Sequence, residues 1–327
     1  MSLSRPAKLP ILKLPFLCIK DVVKSWDIFD IICFAIISQK TRRIVKNLKI
    51  PLNGIEISLS DQIWIQLDGS LRKRKWYFRK ENKPESKRFP RRTDDILESY
   101  TDGDEVTALK LVMEFLNEAF KCSIENFDID ADNFPESGDI GVKSTMNLYI
   151  TNHKSQSLSY AQKQKLNLLL ENLEVTETCT FYVKNTENGF YVDPKLFKCK
   201  ELMFFKGTAA WVTLEILLQF DVPRFTFLEC LFSVEDILSF VTNWFHSDNK
   251  KLEYLYIPYQ CQTFSLETFR TTELNPVPFR GGNRVPVNNS IRYVDFSKGL
   301  EIVRHDGLQA TIHVAGENFM FHIWHNQ

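Results

Sequence analysis

The feature that most constrains the fold is an alternation of strand and helix signals between residues 202 and 257. Short apolar runs at Leu202-Met203-Phe204, Phe225-Thr226-Phe227 and Leu252–Ile257 have the length and composition of buried strands. The stretches between these runs carry apolar residues at steps of three and four, which is typical of amphipathic helices. Ser233 followed by Asp236 is a capping-box pattern at the start of the second of these helices. Strand–helix units of this kind stack side by side, because none covers its apolar face alone.

The spacing of these units indicates a degenerate leucine-rich repeat. The three strand segments lie 23 and 30 residues apart, close to the repeat period of roughly 20–29 residues. Leu252–Ile257 also has the LxxLxI form of such a strand. The predicted apolar face of the first helix consists of Trp211, Leu214, Leu217 and Leu218. Trp244 lies on the corresponding face of the second helix, so both tryptophans are predicted to be core residues rather than contact residues.

The whole chain predicts an α+β fold. Residues 55–80 alternate with period two, as strands of a small antiparallel sheet do, and residues 104–120 return to helical spacing. Asp306-Gly307 predicts a hairpin turn between strands that finish the chain from residue 290 onward. We therefore predict an N-terminal three-helix unit at residues 8–50 and a connecting region of sheet and helix at 51–130. Residues 131–327 are predicted to form a leucine-rich-repeat-like α/β domain closed by C-terminal hairpin strands.

Residues 8–48 have the pattern of a compact helical unit. Asp27 and Ser38 are predicted N-caps of the second and third helices. Some forty residues bury little core on their own. A partner or the rest of the chain must therefore cover the apolar faces, and both alternatives remain open at this point. The apolar residues at steps of three and four are Leu17, Ile19, Val22, Val23, Trp26, Phe29, Ile32, Cys33 and Ile36.

Composition bounds the class of protein. At about 150 residues per domain, 327 residues suggest two domains. The 41 Lys and Arg balance 41 Asp and Glu, so whole-molecule charge does not draw the chain to nucleic acid or to an anionic membrane. Seven cysteines without a CxxC pair indicate reduced thiols and a cytoplasmic or nuclear protein. The longest apolar run, Ile28–Ile37, is too short to cross a bilayer, and the N-terminus has no signal-peptide pattern.

The sequence carries no familiar catalytic motif. It lacks the glycine-rich phosphate loops and the GxSxG serine elbow, so we expect no enzyme activity and no cofactor. His305, His313, His322 and His325 cluster near the C-terminus together with Asp306. Because strand alternation points His322 and His325 to opposite sides, we expect no metal site.

Residues 72–92 form the sharpest local concentration of positive charge. Eleven Lys and Arg are interleaved with Trp76, Tyr77, Phe78 and Phe89, a pattern that can grip single-stranded nucleic acid. The alternative is a solvated strand and loop whose charge is balanced by neighbouring acidic residues. We favour this alternative, because an acidic run follows directly, at Asp94, Asp95, Glu98, Asp102, Asp104 and Glu105.

Three groups of residues together resemble a known family. The N-terminal stretches Leu9–Leu17, Val22–Asp30 and Ser38–Thr41 resemble an F-box of the divergent nematode type. Residues 202–257 resemble the F-box-associated domain (type 2) that accompanies it, and residues 302–312 resemble the closing hairpin of that domain. The resemblance implies a substrate-recognition subunit of a Skp–cullin–F-box ubiquitin ligase. Such a subunit binds a Skp-family adaptor, and through it a cullin, and brings a protein target that this sequence does not identify.

The resemblance also implies which residues contact the adaptor. Pro15 is predicted at the first helical position, where its missing N–H costs nothing. Trp26 departs from the smaller Leu or Met that is common at its place in the family. Two alternatives remain: a scaffold protein with a decayed F-box, and a nucleic-acid binder that uses residues 72–92. The implied adaptor-binding residues are Leu14, Pro15, Leu17, Val22, Val23, Trp26, Phe29 and Ile32.

Overall fold

The structure is a computed structural model that describes residues 11–68, 73–80, 90–93, 95–101, 104–136, 139–152, 158–183, 191–205, 207–229, 232–258, 265–280 and 296–325. The chain divides into two compact units, Met1–Ile57 with Gln62–Ile124 and Ser58–Asp61 with Glu125–Gln327. The predicted N-terminal helices and most of the predicted connecting region therefore belong to one unit. The predicted domain boundaries at residues 50 and 130 stay predictions.

The first unit combines helices with a mixed sheet. Its strands lie in the order β1-β2-β3-β5-β4, with β2 and β3 antiparallel and β3 and β5 parallel. The helices are α1 (Phe16–Lys24), α2 (Ile28–Ile37), α3 (Gln39–Leu48) and α4 (Glu105–Ala119), and the strands are β1 (Pro51–Leu59), β2 (Ile63–Asp68), β3 (Lys73–Lys80), β4 (Arg91–Arg92) and β5 (Ile96–Thr101).

Local capping explains where the helices of this unit begin. The Asp27 carboxylate accepts a hydrogen bond from the backbone N–H of Phe29 at 2.9 Å, which starts α2. Ser38 and Thr41 form a reciprocal capping box that starts α3, and Asp104 caps α4. The three predicted N-terminal helices and the helix predicted at residues 104–120 are thus confirmed. Pro15 is a correction: it lies one residue before α1, and its carbonyl accepts the first helical hydrogen bond from Ile19.

The second unit is built on a sheet whose first six strands run parallel. Strands β6 to β11 pair in chain order, and β15, β14, β13 and β12 follow as antiparallel neighbours. The strands are β6 (Lys121–Asp130), β7 (Ser144–Thr151), β8 (Glu174–Phe181), β9 (Glu201–Phe204), β10 (Arg224–Phe227), β11 (Tyr254–Pro258), β12 (Val277–Pro278), β13 (Leu300–Val303), β14 (Gln309–Ala315) and β15 (Asn318–Trp324), and the helices are α5 (Tyr160–Asn172), α6 (Leu214–Leu217), α7 (Val234–His246) and α8 (Glu267–Arg270).

The core over strands β6 to β11 lies on one face of the sheet, and a second cluster, of Phe279, Phe296 and Met320, covers the other face beside β15. Strand registers align buried side chains into rows that cross the strands, because alternate residues of each strand point to the same face. Phe181, Phe204 and Phe227 form one such row, with ring centroids 5.3 and 5.1 Å apart. Trp211 and Trp244 pack onto this face and are buried, as predicted. A second row comprises Phe127, Leu148, Cys179, Leu202, Phe225 and Leu255.

Two sequence expectations for this unit need correction. The first predicted helix is shorter than expected and consists of the single turn α6. Trp211 therefore lies before the helix, and Leu218 follows it and is exposed. Strands β6, β7 and β8 and helix α5 were not identified by the sequence analysis, although they extend the parallel sheet toward the N-terminus. The description as a leucine-rich repeat stays a prediction, because the crossovers range from one helical turn in α6 to the thirteen residues of α5 and of α7.

The predicted hairpin turn at Asp306-Gly307 is confirmed. Gly307 has φ +86°, and its N–H donates to the carbonyl of Arg304 across the turn between β13 and β14. The guanidinium of Arg304 is fully buried; it donates to Asp306 at 2.8 and 3.0 Å and to the carbonyl of Asn249 at 2.7 Å. It also lies 4.9 Å from the ring centroid of Trp244 on α7. The contacts of Arg304 therefore join the turn to the end of α7.

No helix in the described part of the chain combines the length and the apolar character that crossing a bilayer requires.

Candidate protein-binding surfaces

Helix α1 presents uncovered apolar side chains. Ile19 and Val23, four residues apart, are buried. They show which side of α1 packs against the rest of the first unit. Leu17 lies on another side of the helix and is 70% exposed. Phe16, the first residue of α1, and Leu12, in the turn before the helix, are also exposed. This surface, made of Leu12, Phe16, Leu17 and Cys18, is named the α1 surface below.

The predicted adaptor-binding residues divide into two groups. Pro15 and Leu17 are exposed, and Leu14, Val22 and Trp26 are half-buried. The side chains of the other three, Val23, Phe29 and Ile32, are fully buried within the described chain. Because these three side chains form the core of the helical unit, the accessible residues are the better candidates for the adaptor contact. The adaptor contact itself stays a prediction for the accessible residues.

Further exposed apolar residues lie next to the predicted adaptor-binding residues, and the sequence pattern did not single them out. Phe16 directly follows Pro15 at the start of α1, and Ile37 is the last residue of α2. Both are exposed. Their position at helix ends was the available signal, since a terminal turn has fewer helical neighbours to cover it. Cys18 is exposed on the same surface and offers a chemical handle.

The start of α2 is held to the sheet of the first unit by ion pairs. Arg74 on β3 lies 2.6 Å from the carboxylate of Asp27 and 5.4 Å from the ring centroid of Phe29. Arg92 on β4 pairs with Asp30, which raises the pKa of its guanidinium. Trp26 is accommodated within the chain, edge-on to Phe34 at 5.3 Å.

The same contacts bear on the predicted nucleic-acid surface. Of the described basic residues in 72–92, Arg74 and Arg92 pair with α2 and Arg79 pairs with Glu98 at 2.9 Å. Of the rings expected to stack on bases, Trp76 and Phe78 are buried, and Tyr77 is half-buried with Arg79 over its ring at 5.4 Å. The arrangement favours the charge-balanced alternative over a stacking platform. Arg72 and residues 81–89, including Phe89, lie outside the described residues.

The four C-terminal histidines have different surroundings in the structure. His325 contacts the carbonyl of Leu252 at 3.0 Å, and His305 lies 3.8 Å from Asp248. His313 and His322 occupy adjacent strands on one face, where both rings contact Phe296. Within the described residues, no group of three or more His, Cys, Asp or Glu side chains has a metal-binding arrangement.

Protonation of His322 should lower stability at mildly acidic pH. The centroid of its ring lies 4.2 Å from that of Trp324. Burial lowers the pKa of His322 from 6.5 to about 4. Among the nearby charges, Glu253 raises this pKa, whereas His325 and Arg224 lower it. The unfolded chain takes up this proton near its usual pKa, before the folded chain does. The free energy of unfolding should therefore fall by about 3 kcal/mol as the pH is lowered through this interval.

The matching variant is His322→Phe, which keeps an aromatic ring and removes the titrating group. Urea unfolding followed at pH values between about 7 and 4 should show a smaller loss of stability in the variant than in the wild type. An equal loss in both proteins would show that His322 does not carry this pH dependence.

The face of the parallel sheet that points away from α7 and Trp211 has a mixed character. Cross-strand pairing places polar residues side by side along it, and Asn147 donates to Asn126 at 3.1 Å. Thr226 donates to the carboxylate of Glu201 at 3.1 Å, and Arg224 donates to Glu253 at 2.7 Å. This surface, from β6 to β10, is named the open face below.

Comparison with known proteins gives a partial match. A protein-family model described as F-box associated matches residues 195–257, which hold β9, β10 and β11 with α6 and α7 between them. The similarity of residues 202–257 to that family is thereby confirmed, and the match does not include the N-terminal helices.

Two relatives from Caenorhabditis elegans are similar to the chain. The uncharacterized protein F59B2.9 is 26% identical over 162 residues, 49% of this chain and 37% of that protein. The uncharacterized protein F59B2.8 is 31% identical over 109 residues, 32% of this chain and 25% of that protein. The chain thus spans well under half the length of these relatives. No solved structure matches the chain.

Proposed function

We propose that this chain is the substrate-recognition subunit of a Skp–cullin–F-box ubiquitin ligase. In this proposal the α1 surface binds a Skp-family adaptor, and the second unit binds a protein target. The observation that carries the proposal is the exposure of Leu17 in a chain whose residues 195–257 match the F-box associated family. The chain itself makes and breaks no bond; it holds a target near enzymes that the cullin carries.

The α1 surface has the chemistry that adaptor binding requires. Burying one leucine or phenylalanine side chain against a partner contributes about 1.5–3 kcal/mol. Leu12, Phe16 and Leu17 follow one another closely in sequence, on a short 3₁₀ turn and the first turn of α1. The buried residues Ile19 and Val23 hold α1 in place, so the exposed residues need little ordering when a partner arrives.

Leu17→Asp should reduce adaptor binding by at least about 100-fold, because it places an unpaired charge in an apolar contact. The matched control is Leu111→Asp on α4, since Leu111 is 61% exposed. Both variants should fold, because neither side chain belongs to the core. Binding is measured by co-expression with a Skp-family adaptor and quantitative pull-down, with circular dichroism to check folding.

Equal binding of the adaptor by both variants would contradict the proposed surface. No complex with the wild-type chain would contradict the proposal as a whole. Adaptor binding that does not accelerate turnover of a bound target would identify a scaffold rather than a ligase subunit.

Cys18 gives a second measurement of the same contact. Its thiol is exposed on the α1 surface, so it should react with a maleimide in the free chain and be protected in the adaptor complex. Peptide-level mass spectrometry separates its labelling from that of the other cysteines. Unchanged labelling of Cys18 in a proven complex would place the adaptor elsewhere.

A further inference from the structure

An apolar row crosses the open face where the parallel strands end. The N–H of Tyr182 donates to the carbonyl of Ile150, that of Phe205 to Phe181, and that of Leu228 to Phe204. Each residue directly follows its strand, so these hydrogen bonds carry the sheet pairing one residue further. Tyr182, Phe205 and Leu228 therefore stand side by side at the carboxyl ends of β8, β9 and β10. This row is named the apolar row.

The apolar row is accessible, in contrast to its neighbours on the opposite face. Leu228 is 42% exposed and Tyr182 is 39% exposed, whereas Phe181, Phe204 and Phe227, one position earlier, are buried. The rings of Tyr182 and Phe205 lie 4.1 Å apart, which fixes both side chains relative to each other. The carboxyl ends of parallel strands are a common place for ligand sites in open sheets.

Acidic residues lie on the open face beside the apolar row. Asp128 on β6 is half-buried and pairs in register with Tyr149 on β7, whereas Asp130 and Glu201, at positions of the same face, are buried. Arg224 is the basic residue at these register positions, and its guanidinium already pairs with Glu253. Burial raises the pKa of the Tyr182 phenol, and the nearby charge of Asp128 raises it further. Asp128 therefore places negative charge beside the rings of Tyr149 and Tyr182, which favours a cationic ligand at that point.

We propose that the open face binds an extended target segment that carries an apolar side chain and a lysine or arginine. The apolar side chain packs on Phe205 and Leu228, and the cation lies against Asp128 and the rings of Tyr149 and Tyr182. Asp128 and Phe205 are three strands apart, roughly 14 Å, which an extended segment spans in about four residues. The inference names the target class and rests on the proposed function.

A phage-displayed library of random linear peptides, selected on the full-length chain, tests this proposal. The enriched peptides should share an apolar residue and a basic residue at about the spacing given above. A synthetic peptide of the enriched sequence should bind Leu228→Asp and Asp128→Asn at least about tenfold more weakly than the wild type. Leu218→Asp is the matched control, because Leu218 is 41% exposed and follows α6; it should bind like the wild type.

Three results would overturn the proposal: no enrichment, enrichment of acidic peptides, or equal binding by Leu228→Asp and Leu218→Asp. Each of them is separable from failure of the proposed function. The peptide measurement uses the free chain without an adaptor, and the adaptor pull-down uses variants of the α1 surface.

Discussion

Replacing Phe204 with alanine should lower the free energy of unfolding of the second unit by about 4 kcal/mol. The ring is fully buried and stacked between Phe181 and Phe227, with Trp211 edge-on at 5.9 Å. Removing it leaves a cavity that its rigid aromatic neighbours cannot fill, so both burial and ring contacts are lost.

The neighbouring Phe205 provides the control, because it has the same side chain on the opposite face of the same strand end. Phe205→Ala should cost about 1 kcal/mol, in keeping with its partial exposure. Urea unfolding followed by circular dichroism compares the two variants. Equal losses would contradict the assignment of the core to one face of the sheet.

Arg304→Ala should destabilise the second unit by about 3 kcal/mol, because it removes the buried cation that joins the β13–β14 turn to the end of α7. The carbonyl of Asn249 would lose a donor, and the ring of Trp244 would lose a cation and become partly uncovered. Arg304→Lys should recover little of this loss, since an ammonium group cannot reproduce the two parallel hydrogen bonds to Asp306.

Arg270→Ala is the matched control for Arg304. Arg270 also pairs with a carboxylate, that of Glu267, but its side chain is largely exposed, so the expected loss is below about 0.5 kcal/mol. The two variants are compared by the midpoint and slope of their urea transitions. Similar small losses for both would show that Arg304 does not fasten the turn.

Features that depend on adjacent residues were predictable from the sequence. The caps at Asp27, Ser38 and Ser233 and the turn at Asp306-Gly307 were confirmed because each is decided within a few residues. Strands β9, β10 and β11 were also predicted, since their short apolar runs are flanked by helical spacing.

Features that depend on distant residues were not predictable in the same way. Helical spacing shows that Val23 and Phe29 belong to an apolar stripe, but not whether the chain or a partner covers that stripe. Their burial and the exposure of Leu17 are decided by how the folded chain packs, which helical spacing does not show. The pairing of Arg74 with Asp27 likewise joins residues far apart in sequence, so the sequence favoured charge balance for residues 72–92 from the neighbouring acidic run but did not identify this partner.

Strands β7 and β8 illustrate a third case. Leu148 and Ile150 flank the half-buried Tyr149, and Cys179 and Phe181 flank the polar Thr180 on the next strand, so the period-two signal was present. It was short, and polar residues such as Thr151 and Thr180 interrupt it at the outward positions. The open face and its apolar row therefore became visible only when the register of the strands was known.

This one-sided burial has an evolutionary consequence. Mutations at outward positions such as Tyr149, Met203 and Thr226 fall on side chains that the hydrophobic interior does not need, whereas Leu148, Leu202 and Phe225 are held fixed by it. Substitutions can therefore accumulate at the outward positions while the chain keeps the interior that it needs to fold.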